Sequence, residues 1–213
     1  MSKKSSSSVS LWRQKIKIAT LFPYLLLVFG FTGAGASVII SIEKQELLKH
    51  PKTVLACDLN PIYSCGNVID SKRSALLGIP NELIGIMMFT GIFTVGLLLL
   101  AGAKPKEWFF KIFMAGMTLF SAMTIFLWHE SVYVIGSLCI FCSSVWFSGW
   151  AITMALFTYT YDKGFYTKAQ KDVAEVLAFI RKYNVAVWAL TITILVAFTL
   201  NHFWYYYGPR LGF

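Results

Sequence analysis

Four cysteines are the residues of this chain whose type and spacing are best suited to chemistry. Cys57 and Cys65 lie in a polar segment, and Cys139 and Cys142 form a Cys-x-x-Cys sequence where an apolar segment begins. A Cys-x-x-Cys pair indicates redox or metal chemistry more often than a structural disulfide. Two close pairs therefore predict that electrons pass between them by disulfide exchange, in which a thiolate attacks a disulfide.

Three other interpretations of the cysteines stay open from the residues alone. Both pairs could form structural disulfides, as in many secreted proteins. Four thiolates could hold a metal ion in a non-enzymatic metal-handling protein, although their spacing matches a four-cysteine zinc site only loosely. The thiols could also be inert and buried. We favour the redox interpretation and expect no metal ion.

Local sequence places the Cys-x-x-Cys pair at the start of a helix. Ser137 is the expected N-cap, which sets Cys139 near the second helical position and Cys142 one turn later. Spacing of three puts both sulfurs on one helical face, and the partial positive charge of a helix N-terminus favours thiolate. By the same signals, Asn60 is expected to cap a short helix through Cys65, and Asn81 to cap the second apolar segment.

Composition predicts an integral membrane protein. Of the 213 residues, 57% are hydrophobic and 14% charged, whereas about a quarter of a soluble domain is charged. Apolar segments long enough to span a membrane are expected at 18–42, 83–103, 109–128, 138–157 and 185–203. The sequence 34–36 resembles a signal-peptide cleavage site, but the apolar run continues through Ile42, so we expect an uncleaved span. The predicted fold class is an all-α, four-helix transmembrane bundle with a fifth transmembrane helix.

Basic residues predict the orientation of these spans. Lys and Arg are concentrated in a tail at 1–17, in the link after the second span, and in a link at 158–184 that includes an amphipathic pattern at 167–183. The positive-inside rule makes these regions cytoplasmic. The loop 43–82, the C-terminus and all four cysteines are then extracytoplasmic. The net charge of +9 is accordingly attributed to topology and not to nucleic-acid binding.

Taken together, these residues resemble the vitamin K epoxide reductase family, in particular bacterial members that oxidise extracytoplasmic thiols. The resemblance covers about residues 18–157 and implies that this region is the four-helix catalytic core, with 185–213 as a fifth helix and a short outer tail. It rests on the following motifs: Cys57-Asp58, Ser64-Cys65, Val68, Ser71, Asn81-x-x-x-Gly85 and Cys139-Ile140-Phe141-Cys142.

The resemblance implies a role for each cysteine. Cys57 and Cys65 match the loop pair that exchanges electrons with a partner, and Cys65 would relay them to Cys139. Cys142 matches the cysteine that faces and reduces a membrane quinone, either menaquinone or ubiquinone. A Cys65–Cys139 bond is expected to pin the loop over the bundle, and a Cys57–Cys65 bond to release it.

Three further residues are expected at the quinone site. Asn81 matches a residue that hydrogen-bonds a quinone carbonyl, and Ser71 matches a serine near the disulfides. Trp146 stands where vertebrate members have a tyrosine, and an indole can donate a hydrogen bond but cannot accept one.

The function implied is that of a membrane thiol oxidase that supports disulfide bond formation. The chain ends at Phe213 without the fused thioredoxin-like domain of many bacterial relatives, so a thioredoxin-fold, DsbA-like partner is expected in trans, with lipid and quinone as the other partners. Two enzymatic alternatives remain at this stage. One is a disulfide reductase that carries electrons outward, and the other is a quinone or vitamin K epoxide reductase.

Overall fold

The computed structural model describes residues 4–51, 53–75, 78–166 and 171–210, and within these ranges it contains helices and no strand. The helices are α1 (Lys4–Lys49), α2 (Cys65–Ile69), α3 (Asn81–Leu100), α4 (Glu107–His129), α5 (Ile140–Asp162), α6 (Lys171–Lys182), α7 (Asn184–His202) and α8 (Trp204–Tyr207). A π-helical turn, Glu130–Ile135, continues α4, and 3-10 turns occupy Lys72–Ala75 and Gly208–Arg210. The prediction of an all-α protein is confirmed.

Five of the described helices are long and apolar enough to cross a membrane, so the chain is a multi-pass membrane protein. Their membrane-spanning parts are Thr20–Lys49, Asn81–Leu100, Glu107–Ile135, Ile140–Asp162 and Asn184–His202. Some spans run past the apolar segments from which they were predicted. In α5, the Thr158 and Thr160 hydroxyls each donate to a carbonyl one turn earlier at 2.8 Å, which satisfies these polar groups within the helix.

Helices α1, α3, α4 and α5 form the bundle that carries the cysteines. Helix α1 packs along α3 and α5, and α4 packs on α5. Small residues allow the close approach of α1 and α3, since a methyl group on Gly33 would overlap the Phe89 ring and one on Gly85 would overlap the Ser37 hydroxyl. The half of the bundle away from the cysteines has an apolar core built from Phe22, Leu26, Phe89, Ile92, Phe110, Met117, Ile152 and Leu156.

Helix α7 lies at the side of this bundle and has no buried residue of its own. Two side-chain hydrogen bonds hold it: Asn184 Nδ2 donates to Thr158 Oγ1 at 2.7 Å, and Trp128 Nε1 donates to Thr199 Oγ1 at 3.1 Å. Helix α6 falls within the segment expected to be amphipathic, of which residues 167–170 lie outside the described ranges. The Arg181 guanidinium ties α6 to α5 through two hydrogen bonds to the Asp162 carboxylate, at 2.8 and 2.9 Å.

Three predicted helix starts were wrong by a few residues. Helix α5 begins at Ile140 with Cys139 as its N-cap, not Ser137. Asn60 caps no helix, because its Oδ1 accepts from the backbone N–H groups of Ile62 and Tyr63 and closes a turn. Asn81 is the first residue of α3 and not its cap, which is Pro80.

Candidate active site at the cysteine pairs

The loop between α1 and α3 is tied to the start of α5 by a short parallel pairing. Tyr63 pairs with Leu138, whose N–H donates to the Ile62 carbonyl at 2.7 Å and whose carbonyl accepts from Ser64 N–H at 3.0 Å. Side chains reinforce the pairing, since Asn67 Nδ2 donates to Ser137 Oγ at 3.0 Å. Cys139 directly follows Leu138, and Cys65 stands two residues after Tyr63, so the pairing brings the loop pair to the Cys-x-x-Cys pair.

The four cysteines meet at one end of the bundle. Cys57 and Cys65 are joined by a disulfide, and Cys139 and Cys142 are free thiols. The Cys65 and Cys139 sulfurs are 3.3 Å apart, and both side chains are fully buried. An apolar cluster surrounds the contact with Ile40, Leu55 and Ile69. The contact is therefore short and shielded from water.

The loop is packed in this state, which corrects one expectation. A Cys57–Cys65 bond was expected to release the loop, yet with this bond present Cys57 is only 4% exposed and lies in the same apolar cluster. The backbone pairing at Tyr63 and Leu138 also holds the loop in this state. A Cys57–Cys65 bond is thus compatible with a packed loop.

Asp58 organises the loop beside the disulfide. Its Oδ1 accepts from the Ser64 hydroxyl at 2.9 Å and from Gly66 N–H at 3.0 Å, and its Oδ2 accepts from Leu55 N–H at 3.1 Å. Burial alone would raise the pKa of Asp58, but these hydrogen bonds to the charged form outweigh it and lower the pKa below its ordinary value. The sequence places this residue in the Cys57-Asp58 motif as a loop charge and does not show these hydrogen bonds.

The two cysteines at the N-terminus of α5 face different surroundings. As N-cap, Cys139 points its sulfur toward the loop disulfide and also accepts from Cys142 N–H at 3.3 Å. Donation of backbone N–H groups to sulfur at a helix N-terminus favours the thiolate. Cys142, two residues inside the helix, is partly exposed and faces a cavity instead.

That cavity lies among α1, α3, α4 and α5, beneath the loop. It is lined by Cys142 together with the three residues expected at a quinone site, Ser71, Asn81 and Trp146. Most of the remaining wall is apolar, with Ile40, Ile84, Phe120, Leu127 and Val145 among its residues.

The three expected residues reach the cavity from three different elements. Asn81 begins α3, and Trp146, which is 7% exposed, lies one turn after Cys142 on α5. The Ser71 hydroxyl donates to the Val68 carbonyl at 2.7 Å, so its oxygen remains an acceptor for a ligand in the cavity.

Charged groups in the cavity wall were missed or given little weight from the sequence. The Lys44 ammonium forms an ion pair with the Glu82 carboxylate at 3.0 Å, which joins α1 to α3. Glu130, at the start of the π-helical turn, is 7% exposed and also lines the cavity. An ionisable residue at membrane depth is a signal of function, but local sequence does not show that Glu130 turns inward.

The described residues bring together no group of three or more His, Cys, Asp or Glu side chains able to hold a metal ion. Two of the four cysteine sulfurs are consumed by the disulfide. The arrangement supports thiol–disulfide exchange, because a disulfide, a neighbouring free thiol and a second thiol at a cavity follow one another in space.

Two cysteine pairs in contact at one end of a helical membrane bundle fit the class of membrane thiol–disulfide oxidoreductases. The model of the vitamin K epoxide reductase family matches residues 24–161, which span most of the bundle. The chain belongs to this family, whose members are oxidoreductases that act on thiols or quinones. No curated protein matches the chain.

Proposed function

We propose that the protein is a thiol oxidase that reoxidises an extracytoplasmic, thioredoxin-fold partner of the DsbA type and passes the electrons to a membrane quinone. The observation that carries the proposal is the 3.3 Å contact between the Cys65 and Cys139 sulfurs, beside a Cys142 that faces the cavity. One pair would receive electrons from outside, and the other would deliver them into the membrane.

The relay has two exchange steps. A partner thiolate attacks Cys57 and forms a mixed disulfide while Cys65 leaves as a thiolate, and the second partner thiol then resolves this bond, so the partner leaves oxidised. Cys65 attacks Cys139 of a Cys139–Cys142 disulfide, and Cys142 leaves as a thiolate. Attack by Cys57 on Cys65 regenerates the loop disulfide and frees Cys139, which leaves a reduced Cys139–Cys142 pair.

The cavity fits a quinone head group in its chemistry. Its apolar wall suits a flat hydrophobic ring, and Asn81 and Trp146 supply donors for carbonyl oxygens. A bound quinone supplies the oxidising capacity, since it takes up two electrons and two protons. The protein places the Cys142 sulfur at the cavity wall and keeps bulk water from the exchange contact, and fixed donors in such an environment stabilise developing charge strongly.

A protein partner is supported by the surface of the loop. Val54 is 78% exposed and Leu59 is 66% exposed, and the two flank Cys57 in sequence. Exposed apolar side chains beside a reactive site are typical of a binding surface. Because Cys57 is itself buried, binding of the partner at this surface would have to displace the loop edge before exchange.

Quinone absorbance tests the proposal. Purified protein in detergent receives a reduced DsbA-like partner and a soluble ubiquinone or menaquinone analogue, in parallel with Cys142→Ala and with a Cys57→Ala/Cys65→Ala double variant. We expect reduction by the wild type and none by Cys142→Ala. The double variant should reduce quinone with a small dithiol but not with the partner. Absence of reduction by the wild type with every quinone would contradict the proposal and favour outward electron flow.

A further inference from the structure

Quinone reduction requires protons as well as electrons, and the cavity wall contains a carboxyl group that is placed to deliver them. This inference rests on the proposed function, since it concerns the same cavity. Glu130 is 7% exposed and lines the cavity with Cys142. It begins a π-helical turn, and such turns occur frequently at functional sites.

Glu130 is connected to water by the preceding residue. The His129 Nδ1 atom is 4.0 Å from Glu130 Oε1, and the His129 side chain is 56% exposed whereas that of Glu130 is 9% exposed. One bridging water or a small rotation closes this gap for proton transfer. Imidazole changes its charge near neutral pH, so it can take a proton from water and release it again.

The second carboxylate of the cavity is less suited to this role. Glu82 is paired with the Lys44 ammonium at 3.0 Å, and Lys44 also donates to the Ser74 hydroxyl at 3.5 Å. Glu82 is therefore already engaged in an ion pair, whereas Glu130 lies beside an imidazole that reaches water.

We propose that Glu130 is the proton donor to the quinone and that His129 supplies Glu130 from the outer water. The Cys139 and Cys142 thiolates pass two electrons to the quinone and become a disulfide. For each electron pair, Glu130 gives a proton from its carboxyl to a quinone oxygen twice and is reprotonated each time by the His129 imidazolium. The partner dithiol releases two protons to the same outer water as it is oxidised, so protons and charge balance.

Several ionisable groups surround this route. The Glu82–Lys44 ion pair and the Cys142 thiol line the same cavity as Glu130. On the outer side, the Tyr133 ring lies 5.1 Å from the His129 ring and 4.7 Å from the His202 ring of α7. A pH profile of the wild type alone would mix these groups, so the test compares single substitutions.

The first test mixes prereduced protein with ubiquinone-1 or menadione and follows one round of quinone absorbance change. Glu130→Gln keeps the shape of the side chain but cannot carry a proton, and we expect a loss of about 100-fold, within the range of general acid catalysis. His129→Asn should lose less and recover with added imidazole. The matched control is Glu46→Gln, which changes a similar, exposed pair of Glu46 and His50 at the end of α1, and it should react at the wild-type rate.

The second test uses quinone-free protein. Infrared spectra during acid titration should show a carboxylic acid band that is present in the wild type and in Glu46→Gln and absent from Glu130→Gln. After transfer to D2O, this band should shift more slowly in His129→Asn than in the wild type. The D2O comparison of His129→Asn with the wild type keeps Glu130 in place, so it tests the entry route even if Glu130→Gln does not fold.

The outcomes separate this inference from the proposed function. A wild type that reduces no quinone contradicts the proposed function. A wild type that reduces quinone while Glu130→Gln does so equally fast overturns only the role of Glu130. If the infrared band shifts in D2O at the same rate in His129→Asn as in the wild type, the proposal that His129 supplies protons to Glu130 is overturned.

Discussion

At the scale of single residues, the site depends on groups that position the cysteines as much as on the sulfurs. Asp58 is the clearest case, because one carboxylate accepts hydrogen bonds from Leu55, Ser64 and Gly66 around the loop disulfide. It holds the ends of the Cys57–Cys65 segment in one conformation. Its contribution can be measured without touching a cysteine.

Replacement of Asp58 by Asn should loosen the loop. One oxygen becomes an NH2 group that faces another donor, and lost hydrogen bonds to a charged group cost about 1–3 kcal/mol. We expect faster proteolysis within residues 53–64 and faster alkylation of Cys57 and Cys65 after reduction. Asp70→Asn is the control, since Asp70 is an exposed acidic residue of the same loop. Equal protection in both variants would contradict the role assigned to Asp58.

The pH dependence of the loop follows from the same hydrogen bonds. Because the folded state lowers the pKa of Asp58, its stabilisation is fully present above the ordinary value of 3.8 and is lost as pH falls through the lower folded value. Protection of the wild-type loop from an acid-stable protease should therefore stay constant down to about pH 4 and decline below it. The Asp58→Asn loop should lack this decline. A wild-type decline beginning near neutral pH would point to another group.

At the scale of elements, the junction between α4 and α5 sets the approach of the two pairs. The π-helical turn ends at Gly136, whose φ of 70° lies in the left-handed region. Ser137 and Leu138 then turn back to the loop, with Ser137 N–H donating to the Ser131 carbonyl at 3.1 Å. The position of Cys139 beside Cys65 is therefore fixed by a turn that favours glycine.

Substitution of Gly136 by Ala should disturb this junction. A side chain in the left-handed conformation costs about 1–2 kcal/mol, so we expect lower thermal stability and slower exchange between Cys65 and Cys139. Gly116→Ala is the matched control, because Gly116 lies within α4 with nothing close to a new methyl group. It should be neutral or slightly stabilising. Equal stability of Gly136→Ala and Gly116→Ala would contradict the strain argument.

The sequence predicts helices correctly where local hydropathy determines them. It predicts the exact start of a helix less well where contacts with distant residues determine it. Hydropathy was sufficient to identify five spans. Helix α5 begins two residues later than its expected start because Leu138 is bound to the loop, and no local signal reports a partner more than 70 positions away. The inward placement of Glu130 depends on the same turn, so local sequence locates the cysteines but does not show which charged residues line the cavity.

At the scale of the whole molecule, the proposal requires one orientation in the membrane. The structure gathers both cysteine pairs at one end of the bundle, and the link at 101–106 connects α3 and α4 at the other. Positive charge near that link and near α6 favours the cytoplasm for that end.

Reporter fusions test the orientation. Alkaline phosphatase, which is active only outside, should be active when fused after residue 210 and inactive when fused within 101–106. A green fluorescent reporter should give the reverse pattern. Signal from both reporters at the same site, or the opposite pattern, would contradict the placement of the cysteines on the outer side.

Transfer between the two cysteine pairs requires contact of one sulfur from each pair, and a single disulfide between them reports that contact. In a Cys57→Ala/Cys142→Ala double variant, only the Cys65 and Cys139 thiols remain, and their sulfurs are 3.3 Å apart in the wild type. We expect mild oxidation in the membrane to join Cys65 to Cys139 almost completely, seen by mass spectrometry as one cross-linked pair of peptides. Two free thiols, or two separate adducts with an added small thiol, would contradict the relay.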